Sequence, residues 1–513
     1  MLPLLAVSCA AIVQGPVLGR FFRTDDFVHL YEIIEHGWWQ FALTTNGGHL
    51  LITSNTAFYL CHAIFGLHAE LYYAVAWLTH LLNVYLLYRV VEISTDRPVL
   101  AFAPALLWGI SGLAQEPLGW FSVYGHVLLA TWILCFLAEV AQVSRGQREL
   151  GSWTLARWIL LLLLGATSFG TGISIAMLSG PVVYLLLAGC PERRRAALCL
   201  GSLVVLVPVV YFATIWIYYS IVSPGSQSEL RDASWLDLLS PSNWPPTVSL
   251  LGMLLAYGTS DLLLGPLVTA NGDGVALGPL AGASLYVVAA VCAAFSAAVL
   301  AACAVALRRA SPDARRRIAG YGVLAVGAYG MVALARAGFF GFLNVSLTKP
   351  MVQPRYHYMA QALIAIFLAL AAAQLPLPRS RPSGWKWVVA AAALLFAVGL
   401  GRASSLVVYD MMGPDGRIPF GETVASIEDA IASSPLGSEV RIENLFFPGG
   451  GPLSGPFFAG TAAVFVIAFP SNDVEGRRVH FVERDPKRRL EWVERIPGTR
   501  LSELLVAPNP RGS

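Results

Sequence analysis

Charged residues are scarce in this sequence: Lys, Arg, Asp and Glu make up 13% of its 513 residues, whereas 56% are hydrophobic. Soluble domains carry about a quarter charged residues, so an ordinary soluble protein is excluded, as is a disordered chain. A basic surplus is also missing, because the net charge is only +3, and we therefore expect no nucleic acid partner. A multi-span membrane protein remains, in agreement with a mean hydropathy of +0.63.

Cysteine is sparse as well. The chain has seven cysteines, six of them lie in or beside apolar runs, and no pair has the spacing of metal ligands. We interpret them as small apolar residues within packed helices, which excludes a disulfide scaffold. The metal requirement stays open, and a divalent cation is the one cofactor that we consider.

Eleven apolar runs are candidates for membrane spans, since a helix needs about 20 mostly apolar residues to cross the hydrocarbon layer. They lie near 2–19, 70–93, 98–115, 124–143, 155–170, 172–189, 197–221, 279–307, 318–338, 356–376 and 384–405. The first run lacks the basic start and cleavage site of a signal peptide, so we expect a retained span. A further run, 248–267, is either interfacial, re-entrant or spanning.

Arginines collect on one side of these eleven spans. The clusters are Arg145/Arg148/Arg157, Arg193-Arg194-Arg195, Arg308-Arg309 with Arg315-Arg316-Arg317, and Arg379/Arg381/Lys386. The positive-inside rule makes that side cytoplasmic, so the loops 20–69, 222–278 and 339–355 face outward. We expect an integral, multi-pass protein of a bacterial plasma membrane, with a cytoplasmic N-terminus.

The charged residues are concentrated near the C-terminus. Residues 408–513 hold 25 of the 65 charged residues, and residues 1–407 hold the other 40. This tail alternates helix-like runs such as 421–432 with strand-like runs such as 439–446. We predict an α-helical polytopic membrane domain over 1–407, with interfacial helices in its first outer loop, and a small extracytoplasmic α/β domain over 408–513.

Two adjacent carboxylates, Asp25 and Asp26, follow the first span directly. At a membrane surface one carboxylate can act as general base on an acceptor hydroxyl while the other orients it or holds a metal. Alternatively, Thr24 caps a helix whose first turn takes acids because of its dipole, and the spacing alone favours this second interpretation. Further along, His29, Glu32 and His36 share one helical face, as metal ligands or, more commonly, as the wet face of an interfacial helix.

Two later outer loops carry further candidates. The second outer loop contains Glu116, which could join a carboxylate site, and His126, which could act as acid, base or ligand; the alternative is an interfacial belt of Trp and Tyr with polar neighbours. The last outer loop contains Lys349 and Arg355, cations on the side where the orientation rule disfavours them. A phosphate at the headgroup level would explain them, with Arg355 forked onto two oxygens. The alternative is that they extend to lipid headgroups.

Four short motifs resemble those of a known class. They are Gly48-His49-Leu50-Leu51 leading to Phe65-Gly66-Leu67-His68, then Leu78-Thr79-His80-Leu81-Leu82-Asn83, Gln115-Glu116-Pro117-Leu118-Gly119-Trp120, and Arg355-Tyr356. Together with the acidic pair in the first outer loop, they resemble the GT-C class of membrane glycosyltransferases, in particular the branches similar to protein O-mannosyltransferases. The likeness is strongest over 20–130 and absent from the tail.

The resemblance implies transfer of a hexose or pentose from a polyprenyl-phosphate donor, with membrane lipid around the enzyme, to a glycan, lipid or protein acceptor on the outer face. It implies roles for residues in or beside the first, second and last outer loops. These are Asp25 as acceptor-side base, Asp26 as its partner, Glu116 as a second acid, Arg355, Lys349 and Tyr356 at the donor phosphate, and His49, Tyr124 and His126 as substrate contacts.

The chain also departs from this class. Tyr124 and His126 stand where the branch has Arg and Asp, and Ser168-Phe169-Gly170 stands where it has Ser-Lys-Glu. Two alternatives therefore stay open: a non-catalytic GT-C-like protein, and a transporter or flippase of a lipid-linked glycan. A transporter predicts internal repeats and polar residues at midspan.

Overall fold

The computed structural model describes most of the membrane body and short pieces of the tail. The described residues are 1–22, 25–46, 49–217, 220, 240–271, 274–275, 280–342, 346–376, 384–411, 433–435, 438–442, 446–447, 451–452, 478–482 and 505–506. The helices are α1 Leu2–Gln14, α2 Asp25–Leu43, α3 Ile52–Phe65, α4 Ala69–Thr95, α5 Pro98–Gly109, α6 Gln115–Gly119, α7 Gly125–Ser144, α8 Ser152–Ala166, α9 Thr171–Leu186, α10 Arg193–Gly201, α11 Leu203–Ile217, α12 Trp244–Leu264, α13 Leu285–Arg309, α14 Pro312–Phe342, α15 Thr348–Met351, α16 Tyr358–Ala372 and α17 Gly384–Met411.

Eight helical stretches in the described part of the chain are long and apolar enough to cross a bilayer. A ninth is formed if α5 and the segment Gly112–Gly119, bent by 54° against it, cross as one span. Seven of the predicted spans are among the eight, and three others are the shorter apolar helices α8, α9 and α16. The integral multi-pass class is confirmed, while the count of eleven stays a prediction.

The eighth stretch is Pro241–Leu264, which contains α12. The sequence left this region open between an interfacial, a re-entrant and a spanning segment. A crossing here makes the number of spans even, so the predicted orientation then requires one more crossing. Sidedness therefore stays a prediction, as does bacterial origin.

The first outer loop contains the two predicted helices, α2 and α3. A short antiparallel pair, β1 (Thr45–Asn46) and β2 (His49–Leu50), separates them. Backbone angles of φ 71° and ψ −179° at Gly37 interrupt α2, a conformation that residues with a side chain rarely adopt. A second antiparallel pair, β3 (Ala270–Asn271) and β4 (Gly274–Val275), follows α12.

The described elements of the tail beyond α17 are strands. β5 (Glu439–Ile442) pairs in parallel with β8 (Arg478–Val482), which pairs in parallel with β9 (Leu505–Val506). β6 (Phe446–Phe447) and β7 (Gly451–Pro452) form an antiparallel pair. The predicted helical run 421–432 lies outside the described residues, so the α/β tail domain stays a prediction.

Helix α4 lies inside the bundle and packs against α1, α5, α7 and α16. Its polar side chains are buried and hydrogen-bonded: Nδ1 of His80 lies 2.7 Å from the hydroxyl of Tyr358, and Asn83 donates to the carbonyl of Val127 at 2.9 Å. Unpaired polar groups are costly in an apolar environment, so these bonds fix the helix in place. Both ends of α4 lie beside polar residues of other segments.

The two ends of α4 differ in the charge of these residues. The acidic end consists of residues 20–22, 25, 26, 73, 115–122 and 353–357, at the first turns of α4. The basic end consists of Ser94, Thr95, Arg97, Arg145 and Arg317, near its last turn.

Candidate active site

Asp26 is a fully buried carboxylate in the first turn of α2. Its Oδ1 accepts hydrogen bonds from the backbone N–H and from the hydroxyl of Ser122, both at 2.6 Å. Its Oδ2 accepts from the hydroxyl of Tyr73 at 3.2 Å. Asp26 therefore ties the first loop to the second loop and to α4.

Glu116 and Arg355 form an ion pair that joins the second loop to the last loop. A carboxylate oxygen of Glu116 contacts Nη1 of Arg355, and the other accepts from the backbone N–H of Arg355 at 2.9 Å. The Glu116 side chain is 8% exposed and the Arg355 side chain 21%, so the pair is largely shielded from water. Breaking one partner of such a pair costs about 3–5 kcal/mol.

Aromatic rings flank the guanidinium of Arg355. It lies 5.3 Å from the ring centre of Trp120 and 5.1 Å from that of Tyr356, within the range of cation–π attraction. Burial alone would lower the pKa of Arg355, but the charge of Glu116 raises it above its ordinary value. The guanidinium is held charged and in one orientation.

The segment from Glu116 to Ser122 connects these two contacts, because Glu116 binds Arg355 and Ser122 binds Asp26. Carboxylates of the first and second loops and a guanidinium of the last loop thus lie at the same end of the helical bundle. The sequence separations are 96 residues for Asp26 to Ser122 and 239 for Glu116 to Arg355.

The other predicted residues occupy different positions. Asp25 is half-buried at the first position of α2, next to Asp26, and Lys349 is exposed in α15. Tyr356 is buried. The backbone of His49 lies in β2, paired with Asn46, and its side chain is outside the described residues.

Tyr124 and His126 lie beneath this surface, inside the bundle. The hydroxyl of Tyr124 lies 2.8 Å from that of Thr79. His126 is 2% exposed, and its ring centre is 3.6 Å from that of Phe169. Their predicted contact with substrate would therefore require access to the interior of the bundle.

Sequence reasoning missed three residues of the acidic end. Ser122 and Tyr73 bind Asp26, but a serine and a tyrosine near a membrane surface give no signal of their own. Arg20 is buried, and a side chain added at Gly119 would lie 3.2 Å from its Nε. As a cation directly after an apolar run, Arg20 could have been found by the reasoning that singled out Arg355.

The alternative of a metal arrangement in α2 includes His36, whose side chain lies outside the described residues, so this alternative stays untested. Among the described side chains, no three His, Cys, Asp or Glu are grouped closely enough to hold a metal ion. His29 is buried beside the rings of Phe41 and Phe58, each at 5.5 Å between ring centres, so the expectation of a wet face is wrong for this residue. Burial lowers the pKa of His29 to about 4 and raises that of Glu32 to about 8.

The fold and this site define a polytopic membrane protein with an acidic cluster and a bound guanidinium at one end. No protein-family model and no curated protein matches the chain. A crystal structure of ArnT from Cupriavidus metallidurans bound to undecaprenyl phosphate is similar to it, with 14% identity and a TM-score of 0.45 over 98% of this chain and 89% of that chain.

A crystal structure of the Archaeoglobus fulgidus oligosaccharyltransferase in complex with zinc and sulfate is also similar, with 13% identity and a TM-score of 0.41 over 85% of this chain and 56% of that chain. Because both TM-scores lie below 0.5, the contacts described above, and not these likenesses, support the function proposed below.

Proposed function

We propose that the chain is a membrane glycosyltransferase that moves a sugar from a polyprenyl-phosphate donor to an acceptor at the acidic end. One observation carries the proposal: the contacts of Asp26 with Ser122 and of Glu116 with Arg355 bring a carboxylate pair and a guanidinium together at one end of an apolar bundle. A lipid-linked sugar phosphate stays in the bilayer, so its reacting carbon lies at the headgroup plane. An enzyme acting there needs a base and a cation in that plane.

In the proposed reaction Asp25 is the base. Its carboxylate takes the proton of the acceptor hydroxyl, the acceptor oxygen forms a bond to the anomeric carbon, and the bond from that carbon to the phosphate oxygen breaks. The phosphate leaves with the electron pair of the broken bond and remains on the polyprenyl chain. Asp25 suits this role better than Asp26, because it is half-buried whereas Asp26 is enclosed by its hydrogen-bond donors.

Arg355 is the proposed ligand of the donor phosphate. A guanidinium has five N–H donors. Its side-chain partners are Glu116 and Gln353, both at Nη1, and Tyr356, so the donors outnumber these partners and the remainder would bind phosphate oxygens. Glu116 and the ring of Tyr356 would then orient the guanidinium. Lys349, exposed in α15, would add positive charge nearby.

Sugar transfer tests the base. Full-length protein in nanodiscs is given radiolabelled polyprenyl-phosphate hexoses and pentoses, with membrane extracts as the source of acceptor. We expect Asp25→Asn to lower transfer by about 100-fold or more, the usual contribution of a general base. Asp96→Asn is the matched control, since Asp96 lies exposed at the opposite end of α4 and Asn tolerates its left-handed backbone of φ 56°.

Donor binding tests the cation separately. We expect Arg355→Gln to weaken binding of undecaprenyl phosphate, measured by native mass spectrometry, whereas Arg316→Gln at the opposite end should not. Full transfer by the Asp25→Asn protein would reject Asp25 as the base.

Two other outcomes would support the alternative functions. Movement of intact lipid-linked sugar across the vesicle membrane without release of sugar would support a transporter. Absence of both transfer and transport would support a non-catalytic protein.

A further inference from the structure

A cavity of about 270 Å³ lies at the basic end, between the ends of several helices. Three arginines from different parts of the chain line it: Arg97 before α5, Arg145 after α7, and Arg317 in α14. The lining also includes Ser94, Thr95, Ser144 and Gln374, and apolar residues of α7, α9, α14 and α16. The cavity is smaller than the 300–1,000 Å³ that is typical of sites for whole small molecules.

The known contacts of these arginines use only part of their donor capacity. Arg145 donates through Nε to the carbonyl of Ile93 at 2.9 Å and through Nη2 to that of Ser94 at 3.1 Å. Arg97 donates through Nη1 to the carbonyl of Ala373 at 3.0 Å. These bonds satisfy carbonyls at the C-terminal ends of α4 and α16, and they fix both side chains beside the cavity.

Arg317 is bound to a hydroxyl instead. Its Nη1 lies 3.3 Å from Oγ of Ser144, and the arginine is half-buried, whereas Arg97 and Arg145 are exposed. Each guanidinium has five N–H donors, so the three together offer more hydrogen bonds than the carbonyls and the hydroxyl accept.

Of the described residues that line the cavity, none is acidic, so they offer no negative charge to balance the three arginines. The nearby carboxylates are bound elsewhere: Glu92 contacts Arg89, Glu139 contacts Arg148 and Arg157, and Asp313 contacts Arg316. Three guanidiniums around one small cavity repel each other unless an anion joins them.

The cavity and the acidic end lie on opposite sides of the bundle. Tyr73, which binds Asp26, and Ser94, which lines the cavity, are both in α4. At 1.5 Å per residue they are about 30 Å apart along the helix axis, which is about the thickness of the hydrocarbon layer. The two sites therefore belong to different faces of the membrane.

We propose that this cavity binds the phosphate of an anionic phospholipid. Guanidinium groups are donors that phosphate oxygens prefer, the volume suits a headgroup rather than a nucleotide, and basic pockets between helix ends recognise anionic headgroups. The apolar side chains below the arginines would contact the first carbons of the acyl chains. Inorganic phosphate has the same oxygens, so the experiment separates the two sources.

Native mass spectrometry of the delipidated full-length protein in detergent tests the proposal. Phosphatidylglycerol, phosphatidylcholine and inorganic phosphate are titrated separately. We expect one phosphatidylglycerol to bind more tightly than phosphatidylcholine, and Arg317→Gln to weaken it by about tenfold or more, as for loss of a hydrogen bond to a charged group. Arg316→Gln is the matched control, because it removes the same charge from the neighbouring position of α14, outside the cavity.

Each outcome decides the proposal. Equal weakening by Arg317→Gln and Arg316→Gln would mean attraction by surface charge alone and would overturn it, as would equal affinity for phosphatidylglycerol and phosphatidylcholine. If inorganic phosphate binds saturably and prevents binding of the lipid, the cavity is an anion-binding site whose ligand is free phosphate. Arg317→Lys, which keeps the charge but not the planar fork, replaces Arg317→Gln if the latter does not fold, and should weaken binding less.

Discussion

Replacing Asp26 by Ala should destabilise the protein much more than replacing its neighbour Asp25 by Asn. Asp26 is fully buried and accepts from the backbone N–H and the hydroxyl of Ser122 and from the hydroxyl of Tyr73. Alanine removes the acceptor and leaves these donors in an environment that water cannot reach.

The magnitude follows from the number of donors. The Tyr73 hydroxyl keeps a second acceptor, the carbonyl of Phe21 at 2.9 Å, so the N–H and hydroxyl of Ser122 are the groups that lose their bonds. A buried donor left without a partner costs about 1–3 kcal/mol, so two of them cost about 2–6 kcal/mol. Asp26→Asn keeps an acceptor oxygen of similar shape and should cost less than Asp26→Ala.

Asp25 has a different environment. It is half-buried at a helix N-terminus, where a carboxylate interacts with the helix dipole by about 0.3–1 kcal/mol. Asp25→Asn should therefore stay close to the native stability while it loses sugar transfer.

The assay is equilibrium unfolding of purified protein in mixed detergent micelles with increasing SDS, read by tryptophan fluorescence and repeated by thermal melting. Asp26→Ala, Asp26→Asn, Asp25→Asn and the wild-type protein are compared in the same micelles. The reasoning is refuted if Asp26→Ala unfolds at the wild-type midpoint, or if Asp25→Asn is the less stable of the two.

Three further predictions concern stability. Glu116→Gln should lower the free energy of unfolding by about 3–5 kcal/mol, because it leaves Arg355 charged and largely buried, and the double variant with Arg355→Gln should lose less than the sum of the two single losses. Glu32 has a folded pKa of about 8 against an ordinary value of 4.5, so stability should fall as the pH rises from 6.5 to 8, and Glu32→Gln should flatten this fall. Gly125→Ala should cost about 1–3 kcal/mol, since its Cβ would lie 2.2 Å from the carbonyl oxygen of Ser168.

The same unfolding assay checks all three, each with its own control. For the pH profile, His29 also contributes, because its folded pKa is about 4 against an ordinary value of 6.5. Below pH 6.5 the free energy of unfolding therefore rises with pH through His29, and this rise opposes the fall caused by Glu32. A fall between pH 6.5 and 8 that persists in Glu32→Gln would contradict its assignment to Glu32. For Gly125, the control is Gly252→Ala, which meets no atom within 4 Å and should stabilise α12 by about 0.5–1 kcal/mol. Additive losses at Glu116 and Arg355 would contradict direct pairing.

The apolar runs predicted the body of the fold because length and hydropathy are properties of a single segment. Prediction from length and hydropathy fails at 248–267, the region that the sequence left undecided between an interfacial, a re-entrant and a spanning segment. Pro245 and Pro246 signal a break in sequence, but they stand in the first turn of α12, where a missing N–H costs nothing. A proline at a helix start and a proline at a helix end look alike in sequence.

The acidic end was predictable in its charges and not in its contacts. Asp26, Glu116 and Arg355 stood out because ionisable residues beside a membrane are unusual. Ser122, the partner of Asp26, did not stand out, because it is separated from Asp26 by 96 residues and serine is common at any surface. The sequence also gave no means to tell that Asp26 is enclosed while Asp25 is more open, since adjacent residues differ in direction only once the helix is placed.

The stretch between Glu116 and Ser122 has a consequence for kinetics. It contacts Asp26 through Ser122 and Arg355 through Glu116, so a shift at either contact can reach the other through the short backbone between residues 116 and 122. In the proposed enzyme, occupancy of the acceptor position should then alter the apparent affinity for the donor lipid, and by linkage the reverse should hold to the same factor. Initial rates would be measured against donor concentration at several acceptor concentrations. The double-reciprocal plots should intersect, and the point of intersection should lie off the reciprocal-concentration axis.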